Sequence, residues 1–125
     1  MSTDFFPTLL DLAGLSAAPD LHADGVSLLP LLSGKSVGHR TLFWHYPHYH
    51  GSTWKPGAAI RDGDWKLIEF FEDHHAELYN LRDDIGENKN QAQANPKKAK
   101  EMRNMLKAWQ KQVNAKFPTP NHRQN

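Results

Sequence analysis

The chain has 125 residues and no cysteine, and its 15 Lys and Arg residues nearly cancel its 14 Asp and Glu residues. A chain of this length has room for one domain with a modest core, and its charge balance argues against a nucleic-acid surface built from bulk charge. The lack of cysteine excludes a disulfide framework, a thiolate zinc site and a cysteine nucleophile, and no apolar run approaches the roughly 18 residues of a membrane helix.

The first predicted element is a short helix over residues 3–13, with Thr3 or Asp4 as its cap, Pro7 near its first turn and Gly14 just past its end. This helix is apolar on much of its circumference, so it needs cover on more than one side. Either the sheet of this chain supplies that cover, or the chain is a truncated piece of a larger protein. In the second case we expect the exposed helix to favour self-association of the fragment.

The next segment, Ser16 to Gly38, is rich in Ala, Pro, Gly and Ser. Pro30 interrupts its apolar run VSLLPLL, which rules out a long regular helix. The segment therefore predicts loops around one short helical turn.

The run from Thr41 to Phe71 carries the clearest strand signals. Both of its ends, LFWHY and WKLIEFF, alternate with a period of two residues. Between them, AAIR is followed by Asp62-Gly63-Asp64, and an Asp-Gly step between apolar runs predicts a hairpin. With a final strand at AELYNL, the sequence predicts an antiparallel sheet of about four strands.

A long helix is predicted from Pro96 to about Lys116, because Asn95 can cap it and proline fits the first helical position. Its apolar residues recur at spacings of three and four, so they share a face that we expect to lie on the sheet. These residues are Ala99, Met102, Leu106, Trp109 and Val113. Lysines and arginine fill the remaining surface, which is typical of a solvated helix face. The predicted fold class is therefore α+β: a small antiparallel sheet packed by a C-terminal helix.

Four blocks of this sequence resemble the C-terminal part of a type I sulfatase, the formylglycine-dependent arylsulfatase group. They are TDFFPTLLDLAGL, DGVSLLPLLSG, FWHYPHYHGSTWKPGAAIRDGDWKLIEF and AELYNLRDD, in order and at compatible spacing. The resemblance implies the C-terminal subdomain of an alkaline-phosphatase-like fold. It also implies a helix and linker at the junction with a catalytic domain in residues 1–38, the subdomain in 39–118 and a flexible tail in 119–125.

For the parent protein, the resemblance implies hydrolysis of a sulfate ester, with formylglycine as nucleophile and calcium holding the sulfate. The nucleophile needs a Cys or Ser followed by x-Pro-x-Arg, and no Ser here has that context. We therefore expect this chain to be inactive alone, with an upstream catalytic domain as its partner. The implied substrate is a sulfated glycan or an aryl sulfate, and the implied compartment is periplasmic, secreted or lysosomal.

Histidines concentrate in HYPHYH, within a stretch that also holds Tyr and Trp. This mixture offers hydrogen-bond donors beside flat apolar faces, which suits sugar rings and aromatic sulfate esters. In sulfatases of this type, a loop in this region faces the pocket mouth, so the resemblance makes His45, His48, His50 and Trp54 candidates for substrate contact. Two alternatives stay open: loop histidines with no task, and a zinc site, although no carboxylate or thiolate lies at a recognised ligand spacing.

Two pairs of charged residues are interpreted as structural. Arg61 and Lys66 flank the Asp-Gly turn, where basic strand-end residues usually face solvent. Asp83 and Asp84 are adjacent carboxylates that resemble a calcium site, yet they follow the last predicted strand in a charged loop, so we expect them to be solvated.

Two other classes of function compete with a sulfatase fragment. A stand-alone carbohydrate-binding or interaction module could use the same aromatic loop without catalysis. A phosphate-ester hydrolase, or a sulfatase relative that has lost catalysis, would share the same core fold, and only its upstream nucleophile would distinguish it.

Overall fold

The computed structural model describes residues 1–51 and 55–119. The chain divides into two units, one of Met1–His39 and one that begins at Arg40. The first unit consists of short helical pieces: a 3-10 turn at Ser2–Asp4, helix α1 at Phe5–Leu12, a second 3-10 turn at Pro19–Leu21 and helix α2 at Leu29–Leu32. The predicted first helix and the single helical turn around Pro30 are both present.

Asp4 holds the first unit together in a way that the sequence analysis did not foresee. It stands at the N-cap of α1, but its carboxylate does not cap the helix. Instead the fully buried carboxylate accepts a hydrogen bond from Val26 N–H at 3.1 Å and pairs with the Met1 amino group at 2.5 Å. The Thr8 hydroxyl similarly accepts a hydrogen bond from Leu28 N–H at 2.9 Å. The backbone N–H groups of Val26 and Leu28 thus connect the segment before α2 to Asp4 and Thr8.

The apolar surface of α1 is largely open to solvent. Phe5 and Leu9 expose 66 % and 62 % of their surface, and Phe6 and Leu12 are also exposed. The first unit therefore does not itself supply the cover that this helix needs.

The second unit is built on a four-stranded antiparallel sheet in which strand order follows chain order. Its strands are β1 at Leu42–Tyr46, β2 at Gly57–Asp62, β3 at Trp65–Phe70 and β4 at Ala76–Asn80. The predicted Asp-Gly hairpin joins β2 to β3, and Gly63 supplies the positive φ, +59°, that this tight turn requires. The predicted α+β class and the strand count are confirmed.

Helix α3, Pro96–Gln112, covers one face of the sheet. Five completely buried side chains form the contact: Ile60, Leu67, Leu78, Met102 and Leu106. At the edge of this core, Trp109 of α3 stacks on Phe43 of β1, with ring centroids 4.9 Å apart and planes 6° from parallel. The apolar helix face that the sequence predicted therefore does lie on the sheet.

The C-terminal end of α3 comes earlier than predicted. Asn114 adopts a left-handed conformation, φ +51°, and its N–H donates to the Lys111 carbonyl at 3.2 Å. Ala115 N–H donates to the Gln110 carbonyl at 2.9 Å, and the two bonds together form a Schellman motif. Val113 was predicted on the buried face, but it lies past the helix end and is 48 % exposed.

The contact between α3 and the sheet predicts where a substitution destabilises the second unit most. Leu106→Ala should lower the free energy of unfolding by about 2–5 kcal/mol, because it leaves a cavity in a completely buried site. Val113→Ala, at an exposed position just past the helix, should cost at most about 0.5 kcal/mol. Urea unfolding followed by circular dichroism measures both variants, and equal losses would contradict this account of the core.

Candidate functional site

The face of the sheet opposite α3 carries the candidate site. Because side chains alternate along β1, burying Phe43 against α3 directs Trp44 and Tyr46 to the opposite face. There they border a groove of about 670 Å³ whose floor includes Ala59 and Ile68. Trp44 and Tyr46 are 40 % and 42 % exposed, so flat aromatic surface lines an open groove.

Charged side chains form the other part of this groove. Lys66 Nζ donates to both carboxylate oxygens of Glu87, at 2.6 and 2.9 Å. Arg61 lies directly opposite Lys66 on the neighbouring strand, so Glu87 offsets the repulsion between the two cations. Arg61 Nε donates to the Gly63 carbonyl at 3.3 Å, and its side chain is exposed. Both basic residues, which the sequence analysis interpreted as structural, thus line the groove.

The loop after β4 positions Glu87. Asp84 accepts hydrogen bonds from Lys89 N–H at 2.8 Å and from the Asn88 side-chain amide at 3.2 Å. Hydrogen bonding to the backbone of Asn88, and then of Lys89, holds the pKa of the Asp84 carboxyl below its usual value. Glu87 has a positive φ of +55°, which is uncommon for a residue with a side chain and is held in place by this loop. Asp84, which we expected to be solvated, thus also organises the backbone around it through these hydrogen bonds.

Two of the four predicted site residues lie beside Tyr46. The rings of His48 and His50 lie 5.5 and 6.4 Å from that of Tyr46, both nearly perpendicular to it. Both histidines are exposed, and His50 lines the groove. Trp54, the fourth candidate, lies outside the described residues.

His45 points to the other side of the sheet, toward the end of α3. Its Nε2 lies 2.8 Å from the Lys116 carbonyl, and its Nδ1 lies 3.2 Å from the Gln110 side-chain nitrogen. A neutral ring with its proton on Nε2 satisfies both contacts, donating to the carbonyl and accepting from the amide. His45 thus joins β1 to the end of α3, and the structure does not bring it together with His48 and His50. Its contact with substrate stays a prediction.

The loop after β1 is tied to the turn between β3 and β4. The Tyr49 hydroxyl donates to the Glu72 carboxylate, and Lys55 Nζ lies 3.6 Å from the same carboxylate. The hydrogen bond to Glu72 raises the pKa of the Tyr49 hydroxyl, because the neighbouring carboxylate disfavours a second negative charge. These contacts connect the loop after β1, which carries His48 and His50 and is called the histidine loop, to the turn after β3.

The described ranges, 1–51 and 55–119, contain no group of three or more His, Asp or Glu side chains placed to hold a metal ion. The zinc alternative therefore gains no support there, and Asp83 and Asp84 are not part of such a group. Over the same ranges, no helix is both long and apolar enough to cross a membrane.

The sequence analysis did not select the groove residues Trp44, Tyr46, Arg61 and Glu87. For the first two a signal was present: the alternation in LFWHY places neighbouring residues on opposite faces of the sheet. For Glu87 there was no signal, since its position depends on the loop that Asp84 folds.

Comparison with known proteins gives one consistent result. Residues 1–116 match the family model described as N-sulphoglucosamine sulphohydrolase, C-terminal. A sulfatase from Formosa agariphila is 36 % identical over 121 residues, covering 85 % of this chain and 22 % of that protein. The Delta 4,5-hexuronate-2-O-sulfatase of Bacteroides thetaiotaomicron is 39 % identical over 101 residues, covering 78 % of this chain and 20 % of that protein.

Solved structures agree with these relatives. A structure described as in complex with its substrate D-glucosamine-2-N,6-O-disulfate superposes with a TM-score of 0.70 at 33 % identity, covering 92 % of this chain and 24 % of that one. The chain therefore spans about a fifth to a quarter of the length of the proteins it matches.

The Asp84 loop generates a prediction about pH. The folded-state pKa of Asp84 lies below the usual 3.8, so its stabilising effect is present above pH 3.8 and is lost as the pH falls through the lower, folded-state value. Asp84→Asn should therefore lower the melting temperature at pH 7, and the gap to the unmodified chain should close below about pH 3.8.

The matched control is Asp83→Asn, because Asp83 accepts a single side-chain hydrogen bond, from Asn80 at 3.0 Å. Its effect at pH 7 should be smaller than that of Asp84→Asn. Thermal melts between pH 2.5 and 7 provide the measurement, and an Asp84→Asn effect that does not depend on pH would contradict this role of the carboxylate.

Proposed function

The chain belongs to the sulfatases, in the family described as N-sulphoglucosamine sulphohydrolase, C-terminal, and from this premise we propose that it forms one wall of a pocket for a sulfated saccharide. Relatives of this chain are sulfuric ester hydrolases. The proposed reaction of the parent protein converts a sulfate ester and water into an alcohol and sulfate. In this reaction the chain binds and orients the sugar.

The observation that carries the proposal is that His48 and His50 both lie beside the ring of Tyr46, and that Tyr46 and His50 line the groove. Imidazole groups can donate hydrogen bonds to sugar hydroxyls and sulfate oxygens, while the aromatic ring can contact the apolar face of a sugar. Trp44 extends this aromatic surface along β1, and Arg61 adds a cation suited to sulfate or carboxylate.

The saccharide class is preferred to a simple aryl sulfate because relatives of this chain carry names that specify sugars. One is a hexuronate-2-O-sulfatase, and one structure is described with a glucosamine disulfate as its substrate. A groove with several separated polar groups and aromatic faces suits a hydroxyl-rich ring better than a flat aryl group.

The formylglycine nucleophile and the calcium ion implied by the resemblance would belong to the upstream catalytic domain, which we propose as the partner of this chain. We propose that the residues of this chain take part in no bond-breaking step and that the chain alone has no sulfatase activity. We further propose a periplasmic, secreted or lysosomal location for the parent protein, as the resemblance implies.

The proposal predicts a specific loss of activity in the full-length protein encoded by the natural gene. The double variant His48→Ala and His50→Ala should lower kcat/KM for a sulfated monosaccharide by about tenfold or more, since each lost hydrogen bond to a charged group is worth about 1.5–3 kcal/mol. Steady-state release of sulfate, with melting temperatures to verify folding, measures the effect.

Arg82→Ala is the control, because Arg82 is 73 % exposed and pairs with Asp64, next to the turn at the opposite end of the sheet. It should leave kcat/KM within about twofold. If the double histidine variant folds and keeps full activity, this wall does not contact the substrate. If the isolated chain binds the sugar but the full-length protein shows no sulfatase activity, a binding module becomes the better account.

A further inference from the structure

A second groove, of about 570 Å³, lies on the α3 side of the sheet, beside the last turns of that helix. The proposed pocket wall does not use it. Its principal walls are aromatic and basic side chains and one amide: Phe71, His74, Lys107, Lys111, Phe117 and Gln110.

The charge of this groove is positive, although the chain as a whole is nearly neutral. Lys107 and Lys111 are four residues apart, so they lie in one row on α3, and both are exposed. Across residues 1–51 and 55–119, no carboxylate pairs with either lysine. The carboxylate that lines the groove, Glu69, is only 7 % exposed and lies 3.3 Å from Arg103 Nε, which neutralises it.

Aromatic rings stand beside these amines. Phe71 and Phe117 meet edge to face at 5.2 Å, and the His45 ring lies 5.3 and 5.2 Å from them. Phe117 is 54 % exposed, so its ring can still contact a ligand. Ammonium groups next to exposed aromatic faces suit a ligand that has both anionic substituents and apolar ring faces.

The walls are held in place before any ligand binds. The Gln110 amide, which is 4 % exposed, lies against His45 Nδ1, and the Lys116 carbonyl accepts from His45 Nε2. The Schellman motif at Asn114 turns the chain so that Phe117 returns to the sheet. A preorganised groove loses less conformational entropy on binding.

This groove lies at the end of the sheet that carries the histidine loop. The loop after β1 and the turn after β3 leave the sheet at the same end, because β1 and β3 are both antiparallel to β2, which lies between them. Phe71 N–H donates to the Pro56 carbonyl at 2.9 Å, and Tyr49 bonds to Glu72. The loop after β1 and this groove therefore lie at the same end of the sheet, with the groove on the α3 side.

We propose that the groove formed by Lys107, Lys111 and Phe117 is a secondary binding site for an anionic saccharide chain. It holds sulfate or carboxylate groups of sugars that neighbour the one in the pocket, and it favours oligosaccharides over monosaccharides. The saccharide class rests on the proposed function, whereas the positive charge and the aromatic walls are properties of the groove itself.

The test measures binding of a heparin-derived octasaccharide to this chain by isothermal titration calorimetry. The double variant Lys107→Gln and Lys111→Gln should weaken binding about tenfold or more, and the slope of log Kd against log salt should fall by about one to two, as expected for two lost ionic contacts. The matched control is Lys97→Gln with Lys100→Gln, which removes the same charge from exposed positions near the start of α3. It should stay within about twofold.

A third variant, Phe117→Ala, should weaken binding without changing the salt dependence, because it removes an apolar contact and no charge. Equal losses of affinity in the two double-lysine variants would overturn the proposal, since they would indicate that the overall charge of the chain alone attracts the ligand. Equal affinity for polyglutamate or for a single-stranded oligonucleotide would overturn the saccharide assignment.

The outcome can be separated from that of the proposed function. In the full-length protein, the variant of Lys107 and Lys111 should leave hydrolysis of a sulfated monosaccharide unchanged, whereas His48 and His50 should control it. If the octasaccharide result fails while the histidine result holds, the pocket wall stands and the secondary site does not.

Discussion

The packing of α3 on one face of the sheet determines where every other feature of the second unit lies. Met102 and Leu106 are completely buried against the strands. Because residues alternate along a strand, each side chain drawn toward the helix sends its neighbours to the opposite face. Burial of Phe43 and engagement of His45 at the helix end thus leave Trp44 and Tyr46 for the groove on the far side. One apolar contact in this way produces two chemically different surfaces.

Much of this fold could be predicted from the sequence because its signals are local. The alternation in β1 and β3, the Asp-Gly turn and the apolar spacing of α3 each report on a few neighbouring residues. The features that the sequence did not reveal depend on side chains whose partners are distant along the chain. The Asp4 carboxylate binds Val26 rather than its own helix, and Asp84 folds a loop that brings Glu87 to Lys66. Residue spacing in the sequence does not predict such pairings, since they form only once the chain has folded.

The candidate site was predictable in type but not in arrangement. A stretch rich in His, Tyr and Trp correctly drew attention to the loop after β1, and the resemblance supplied the family. The sequence analysis grouped His45 with His48 and His50 because they are close along the chain, although the alternation in LFWHY places His45 on the opposite face from Tyr46, beside which His48 and His50 lie. Total charge was similarly uninformative. The net charge of the chain does not show how the charges are distributed. Carboxylates neutralise Lys66 and Arg103, whereas within the described residues no carboxylate pairs with Lys107 or Lys111.

The order of the strands has a consequence for how this unit acquires its structure. Each strand pairs with the next one along the chain, so the sheet forms by closing short loops, which is a low-contact-order route that favours rapid folding. The helix that completes the core follows all four strands in the chain. Until α3 docks, the sheet presents Ile60, Leu67 and Leu78 to solvent, so the interval before helix docking is when this unit is most prone to misassembly with other copies.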